Sequence, residues 1–276
     1  MGFTTPSYSL TDLFARAERG ELQLPDFQRS YIWDVDRVRT LVTSVLRGYP
    51  VGSFLALDTR NTAQRFRPRP LDGVQAGNTQ PGLVLLDGQQ RLTSLFHAFK
   101  GDGEVRTVDF LGRAITRRFM VDVRQAVQAS PMPVEAVFTV DEHGEVRSHF
   151  GPDIPGGIHS TDDMINHAVI PVSMLLWEEG NDLLVDMAAR ADDDGVRTAV
   201  KQFINEVMRA LPAYDVPVIR VDRDTSQAGV GQIFAFANSA GVQMDVFELL
   251  TAGFAAQDPD FELARHWAGV TKRLHD

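Results

Sequence analysis

The chain has 276 residues, 43% hydrophobic and 23% charged, with a formal net charge of −10 and no cysteine. Such a composition describes a folded globular protein of one large or two ordinary domains and excludes disulfides, thiolate metal sites and cysteine nucleophiles. The negative balance excludes a protein that coats nucleic acid by bulk electrostatics, though not contact through a local basic face. No apolar run reaches the length of a membrane span, and residues 1–6 carry no secretion signal, so a cytoplasmic location with no membrane partner is expected.

Ser9 opens the first helix, with Asp12 three residues on at capping-box spacing. Leu10, Leu13, Phe14 and Ala17 form its apolar face and Gly20 its stop. Leu22 and Leu24 alternate with polar residues as a short strand that ends at Pro25. A polar-aromatic loop follows, carrying Phe27, Gln28, Arg29, Tyr31 and Trp33. Asp34 caps a second helix through Leu46, closed by Gly48, and residues 51–57 read as a strand. Residues 59–82, rich in Gly, Pro, Arg and Gln and without periodicity, read as a long surface insertion of a kind that is often functional. Arg60, Arg65, Arg67 and Arg69 cluster there; Arg113, Arg117 and Arg118 cluster further on; the acidic excess lies in the second half, as at 192–194.

Leu83 to Leu86 form an apolar strand, Asp87 and Gly88 the turn, and Gln89 onward a helix with Leu92, Leu95 and Phe96 on its buried face. A strand end meeting a helix N-terminus presents free backbone N–H groups and suits an anion such as phosphate. The same residues also read as ordinary punctuation: Asp87 as N-cap, Gly88 as a tight turn, and Gln89, Gln90 and Arg91 as an exposed first turn. Strands are expected at 118–123 and 168–171, a hairpin over 136–149 about the turn 142–144, breakers at 152–157, and helices at 182–190 and 195–211. Val216 to Val221 read as a strand placed near a sheet edge by Pro217. Helices at 227–238, 245–256 and 259–274 close the chain. The last has no Gly or Pro stop, as in a chain that continues into a further domain. The expected class is α/β (α+β), with a core over 1–125, an insertion of hairpin plus helices over 126–213, and a return strand with helices over 214–276.

The sequence holds no Walker A loop, no G-x-G-x-x-G, no H-E-x-x-H and no G-x-S-x-G, and its histidines lack the close spacing a zinc site needs. Gln28, Arg29 and Tyr31 stand between a strand and a helix much as Asp87 to Arg91 do. If the two strands share a sheet, two arginines and three glutamines line one pocket. Arginine forks match phosphate oxygens; glutamine cannot take a proton at neutral pH but orients a water; Asp87 is placed to hold Mg²⁺ or to accept the water's proton. Tyr31 and Trp33 read either as core packing or as aromatics that stack a base beside a phosphate pocket. Phe234 to Gly241 ends a helix at Asn238 and a Gly cap, which alone is ordinary capping.

Taken together, four segments resemble one family. They are Leu24-Pro25-x-Phe27-Gln28-Arg29-x-Tyr31-x-Trp33, Gly48-Tyr49-Pro50-Val51-Gly52, Leu86-Asp87-Gly88-Gln89-Gln90-Arg91-Leu92-Thr93 and Phe234-x-x-x-Asn238-x-x-Gly241. The family is the ParB/sulfiredoxin-like N-terminal domain, with its DGQQR motif, of GmrSD-type modification-dependent restriction enzymes and SspE-like anti-phage effectors. The likeness is dense over 9–100, thin over 215–256 and absent over 101–212. Val242-Gln243-Met244-Asp245 departs from the family's leucine-then-acidic stretch.

The resemblance implies a mixed sheet flanked by helices, followed by a mainly helical portion. It implies binding and hydrolysis of a nucleoside triphosphate, GTP favoured over ATP, with Mg²⁺ on Asp87. Asp87, Gln89, Gln90 and Arg91 would be catalytic, and Gln28, Arg29, Gly88, Arg91, Thr93 and Asn238 would contact the nucleotide. It further implies coupling of turnover to recognition of modified double-stranded DNA, a phosphorothioate backbone or a glucosylated base, with nicking by an HNH-type nuclease domain or partner subunit. A second copy of the chain is a further candidate partner. For DNA contact and sensing the residues themselves suggest the basic loop with Arg65, Arg67 and Arg69, and the aromatic wall of Phe27, Tyr31 and Trp33. Sulfiredoxin chemistry is excluded by the missing cysteine. Two other readings stand beside this one: a switch that binds nucleotide or DNA without turnover, and a nuclease in its own right, for which neither a paired acidic metal site nor an HNH set is visible.

Overall fold

The computed structural model describes residues 2–26, 28, 31, 33–60, 67–77, 79–148, 151–226, 229–230 and 232–233. After two short strands, β1 (Phe3–Thr4) and β2 (Ser7–Ser9), the Ser9 hydroxyl accepts the Asp12 N–H at 3.2 Å and starts α1 (Leu10–Arg19). Gly20, at φ +76°, ends that helix in the left-handed conformation. Next come β3 (Leu22–Pro25), α2 (Val35–Leu46) with Asp34 as its cap, β4 (Phe54–Asp58), β5 (Pro68–Arg69), β6 (Leu83–Asp87) and α3 (Gln89–Phe99). The chain then forms β7 (Glu104–Val108), β8 (Ala114–Asp122), α4 (Val123–Ala126), β9 (Val137–Val140), α5 (Thr161–His167) and β10 (Val169–Pro171). It continues through α6 (Glu178–Arg190) and α7 (Asp194–Phe203) and returns as β11 (Asp215–Val221).

The main sheet runs β1-β11-β4-β6-β3-β5, with β2 also on β11. The β11–β4 and β6–β3 pairs are parallel and the others antiparallel. Strands β4 and β6 are apolar on both faces, as central strands covered on both sides must be. Phe54, Ala56, Leu83 and Leu85 join Leu10, Leu13 and Phe14 of α1, Val38 and Val42 of α2, and Leu92 and Leu95 of α3. On the opposite face Leu55, Leu57, Val84 and Leu86 pack with Val221 and Val230. In the second sheet β8 pairs antiparallel with β7, β9 and β10. Phe119 and Val121 turn to the main core, while Met120 joins Phe138, Val140, Ile154, Ile158 and Val169 in a smaller one. The fold is thus a mixed α/β arrangement, with a mixed sheet flanked by helices.

Several expectations need correction. The strand expected from Val51 begins at Phe54, because Gly52 sits at φ +83° and turns the chain before pairing starts. The 59–82 segment is not surface throughout: β5 pairs with β3, and Leu71 and Val74 are buried in the main core. Strand β7 and helix α5 are short and are additions to the expected elements, and α6 begins earlier than its apolar spacing indicates. The 195–211 helix gives way after Phe203 to a wider π-helical turn over Ile204–Met208. Among the described residues of the expected 136–149 hairpin, the arms meet at an isolated bridge, Val140 to Val146, and at the backbone bonds from Arg147 to Thr139 and from Asp141 to Glu145, without forming a second strand. Strand β11 lies near the sheet edge as expected, second from one end, and Pro217 is accommodated because pairing with β4 begins only at Val218. Of the helix expected over 227–238, residues 229–230 and 232–233 are described and helical; those over 245–256 and 259–274 lie outside the described residues.

Asp58 ends β4 and accepts from Arg60 Nε at 3.0 Å and Nη2 at 2.5 Å, with Arg220 of β11 3.8 Å away. The Arg60 hydrogen bond, aided by both guanidinium charges, holds its carboxyl below the usual range. The folded chain therefore binds this proton less readily than the unfolded one. The stabilisation is present above the unfolded pKa of about 3.9 and is lost as pH falls through the lower folded value. The urea midpoint is expected to decline on acidification below about pH 5, and less so in Asp58→Asn. Parallel declines in both proteins would show that Asp58 does not carry this dependence.

Candidate functional site

Strand β6 hands over to α3 at Gly88, which takes the N-cap position at φ +101° with no side-chain cap. Asp87 is therefore the last strand residue and not the N-cap. A Cβ on Gly88 would stand 2.4 Å from Phe54 Cδ1, so glycine is required both for the backbone angle and for contact with that ring. The first turn of α3 is not exposed either: Gln89 is 6% and Gln90 9% accessible. Apolar contact does not account for two buried amides at an uncapped helix N-terminus.

Arg91, the third residue of α3, is fixed by several contacts. Its Nη2 donates to Asp87 Oδ2 at 2.9 Å and its Nη1 to the Val51 carbonyl at 2.7 Å. The guanidinium carbon lies 5.2 Å from the centre of the Phe54 ring, a cation–π distance. Gly52 makes room for it, since a Cβ there would stand 2.5 Å from Nη1. The guanidinium thus ties the end of β6 to the loop before β4.

A second hub is Asp72, which sequence reasoning missed. Its Oδ1 accepts from Arg69 Nη1 at 2.6 Å; its Oδ2 accepts the Tyr31 N–H at 2.7 Å and Gln89 Nε2 at 3.5 Å. His97 Nε2 donates to the Asp72 carbonyl at 2.7 Å. Arg69 also donates to the Gln28 carbonyl at 3.2 Å. One carboxylate therefore joins the aromatic loop, the 67–77 segment and the first turn of α3. The only sequence signal for it is an acid set in an arginine-rich stretch. Asp72→Ala is expected to cost about 1–3 kcal/mol in urea denaturation, since it strips partners from several half-buried donors at once. An unchanged midpoint would show that the hub does not hold these segments together.

Gln28 lies across β6, its Nε2 donating to the Leu85 and Leu86 carbonyls at 2.9 Å each, while its buried Oε1 has no partner. Tyr31 is hydrogen-bonded to Ser94 Oγ at 3.0 Å, and burial pushes its phenol up to about 12, so it stays protonated at neutral pH. Two clefts flank α3. One, about 440 Å³, is lined by Trp33, Arg37, Thr40, Val51 and Arg91. The other, about 530 Å³, is lined by Tyr31, Asp72, Thr93, His97 and Arg106 among others. The Thr93 hydroxyl on that second wall is buried and has no hydrogen-bond partner.

The structure thus gathers Gln28, Tyr31, Arg69, Asp87, Gly88, Gln89, Gln90, Arg91 and Thr93 around one strand-to-helix junction. Trp33 is half-buried against the main core, with its carbonyl accepting from the Thr107 hydroxyl. Arg67 is exposed, and its carbonyl accepts the Asp26 N–H at 3.0 Å. Phe27, Arg29, Arg65 and Asn238 lie outside the described residues. Among the described residues no three acidic or histidine side chains gather as a metal cluster, and no helix is long and apolar enough to cross a membrane.

Comparison with known proteins gives two results. The family described as "GmrSD restriction endonuclease, N-terminal domain" matches residues 10–255. An uncharacterised protein of Methanocaldococcus jannaschii is 37% identical over 95 residues, which are 33% of this chain and 16% of the relative. The match therefore spans about a sixth of that relative's length.

Proposed function

This chain belongs to the family of GmrSD restriction endonuclease N-terminal domains, and on that footing we propose that it is the nucleotide-hydrolysing, modification-sensing module of a restriction effector. The nucleoside triphosphate, GTP by preference over ATP, sits at the β6–α3 junction. The separate nuclease domain or partner subunit nicks the modified DNA, with a second copy of this chain as a further candidate partner.

One observation carries the reading. Two buried amides and a fixed guanidinium stand at a helix N-terminus that no side chain caps, and the unpartnered Thr93 hydroxyl lies further along α3 on the wall of the second cleft. A helix N-terminus stabilises phosphate through its backbone N–H groups. Arg91 and Arg29 grip the phosphate oxygens, and Thr93 adds a hydroxyl. Gln89 or Gln90 orients a water for in-line attack on the terminal phosphorus; the bond to the bridging oxygen breaks and inorganic phosphate leaves. Mg²⁺ usually takes one or two protein carboxylates together with substrate phosphates, which the single, partly exposed Asp87 fits. Asp87 would hold the ion, which would neutralise charge on the phosphates. Modified duplex DNA, carrying phosphorothioate or a sugar adduct, is sensed through Tyr31, Trp33 and the basic 65–69 stretch.

Phosphate release from GTP and ATP, measured with plain, phosphorothioate and glucosylated duplexes, tests this. Release that rises on a modified duplex is expected; none under any of these conditions overturns hydrolysis. A second reading has its own support: Arg91 is already bonded to Asp87 and Val51, so a phosphate must share or displace those partners. In that case the nucleotide shifts the 51–52 loop as a switch and is not cleaved. Calorimetric binding without phosphate release would favour it.

A further inference from the structure

We propose that the tip of the β7–β8 hairpin, Phe110-Leu111 on an arginine-bearing stem, is a wedge that enters duplex DNA at a base step. The inference rests on the reading of this chain as a DNA-engaging module.

Phe110 is 84% and Leu111 63% exposed, and they are neighbours at the end of the hairpin. The turn that carries them is tightly bonded. Asp109 Oδ1 accepts the Leu111 and Arg113 N–H groups at 2.9 Å each, and its Oδ2 accepts Arg113 Nε at 2.7 Å. The Gly112 N–H donates to the Asp109 carbonyl at 2.9 Å, and the Asp109 N–H to the Arg113 carbonyl at 3.0 Å. The backbone bond from Arg113 leads the contacts that keep the Asp109 carboxyl below its usual range, so the turn keeps its acceptor at neutral pH. A preorganised loop loses little entropy when its tip is bound.

Charge identifies the partner. Between Glu104 and Arg118 the hairpin holds Arg106, Arg113, Arg117 and Arg118 against two acids, Glu104 and Asp109, on a chain of net charge −10. The register pairs Glu104 with Arg118 and Arg106 with Thr116 on one face, and Glu104 and Arg106 are exposed while Val105 and Thr107 are buried. A basic stem meets phosphates, and an apolar tip beyond it has the size to unstack a single base step, as apolar wedges in DNA-bending proteins do. Two side chains offer little area to anchor an acidic protein on lipid.

The test uses 30-base-pair duplexes containing 2-aminopurine, plain, phosphorothioate-bearing or glucosylated, and the double variant Phe110→Ser with Leu111→Ser. Both sites are solvent-exposed, so the melting temperature and circular dichroism of the variant should match wild type. Wild type is expected to bind and raise 2-aminopurine emission, while the variant loses that rise and binds about tenfold more weakly by anisotropy. Phe110→Trp should retain both effects. Equal affinity and emission in wild type and double variant overturn the wedge. So does a variant that loses only binding to mixed phosphatidylserine–phosphatidylcholine vesicles, which would make the tip a lipid contact. If DNA-stimulated phosphate release is unchanged in the variant, the wedge fails and the proposed function stands; if wild type binds none of the duplexes, both fail.

Discussion

Arg91→Lys is expected to give a folded protein whose phosphate release falls by about 100-fold or more, the scale of losing one preorganised donor to developing charge. Lysine keeps the positive charge but not the fork that bonds Asp87 and the Val51 carbonyl together. Arg91→Ala should do as much to turnover and also lower stability by about 1–3 kcal/mol, because it leaves the Val51 carbonyl and the Asp87 carboxylate short of a donor and opens a gap over Phe54. The pair of variants separates the chemical role from the architectural one. Lysine showing wild-type turnover would remove Arg91 from phosphate binding, whatever the alanine variant does. Single-turnover measurement under saturating nucleotide checks the result without interference from weakened binding.

Gly88→Ala is expected to be the most destabilising single methyl group in this region, at roughly 2–5 kcal/mol. About 1–2 of that comes from forcing a Cβ into left-handed backbone and about 1–3 from overpacking against the Phe54 ring. Guanidinium denaturation in the Phe54→Leu background tells the two apart. A smaller neighbour in place of the ring should recover some of the loss, a non-additivity expected for residues in contact. An equal cost in both backgrounds would assign the whole effect to the backbone angle.

Much of the first hundred residues is legible from the chain alone, for identifiable reasons. Ser9, Gly20 and Asp34 carry helix punctuation in single side chains, and the apolar spacing of α1 and α2 is regular. The β6–α3 junction is legible as a strand, a turn and a helix, yet its burial is not. Polar letters such as Gln89 and Gln90 suggest solvent, and only tertiary packing shows them enclosed. Asp72 is invisible for a related reason. Its partners come from sequence distances of up to 41 residues, which no local pattern encodes. Pro217 reads correctly as a near-edge signal, because β11 is second from the end of the sheet and its pairing with β4 starts one residue later. Beyond residue 101 strand β7 does alternate, with Glu104 and Arg106 out and Val105 and Thr107 in, but a run of five residues is too short to stand out.

The position of β11 has a bearing on biosynthesis. Strands β4 and β6 can pair as soon as both have left the ribosome, but the other side of β4 is completed only by β11, and β1 and β2 at the start of the chain have no sheet to join until then. At typical elongation rates the stretch between β6 and β11 takes roughly ten seconds to emerge. For that interval the nascent chain exposes an open, apolar strand edge, the type of surface that recruits chaperones or other strands. A version cut short before Asp215 would keep that edge permanently, and its yield of soluble protein should suffer accordingly.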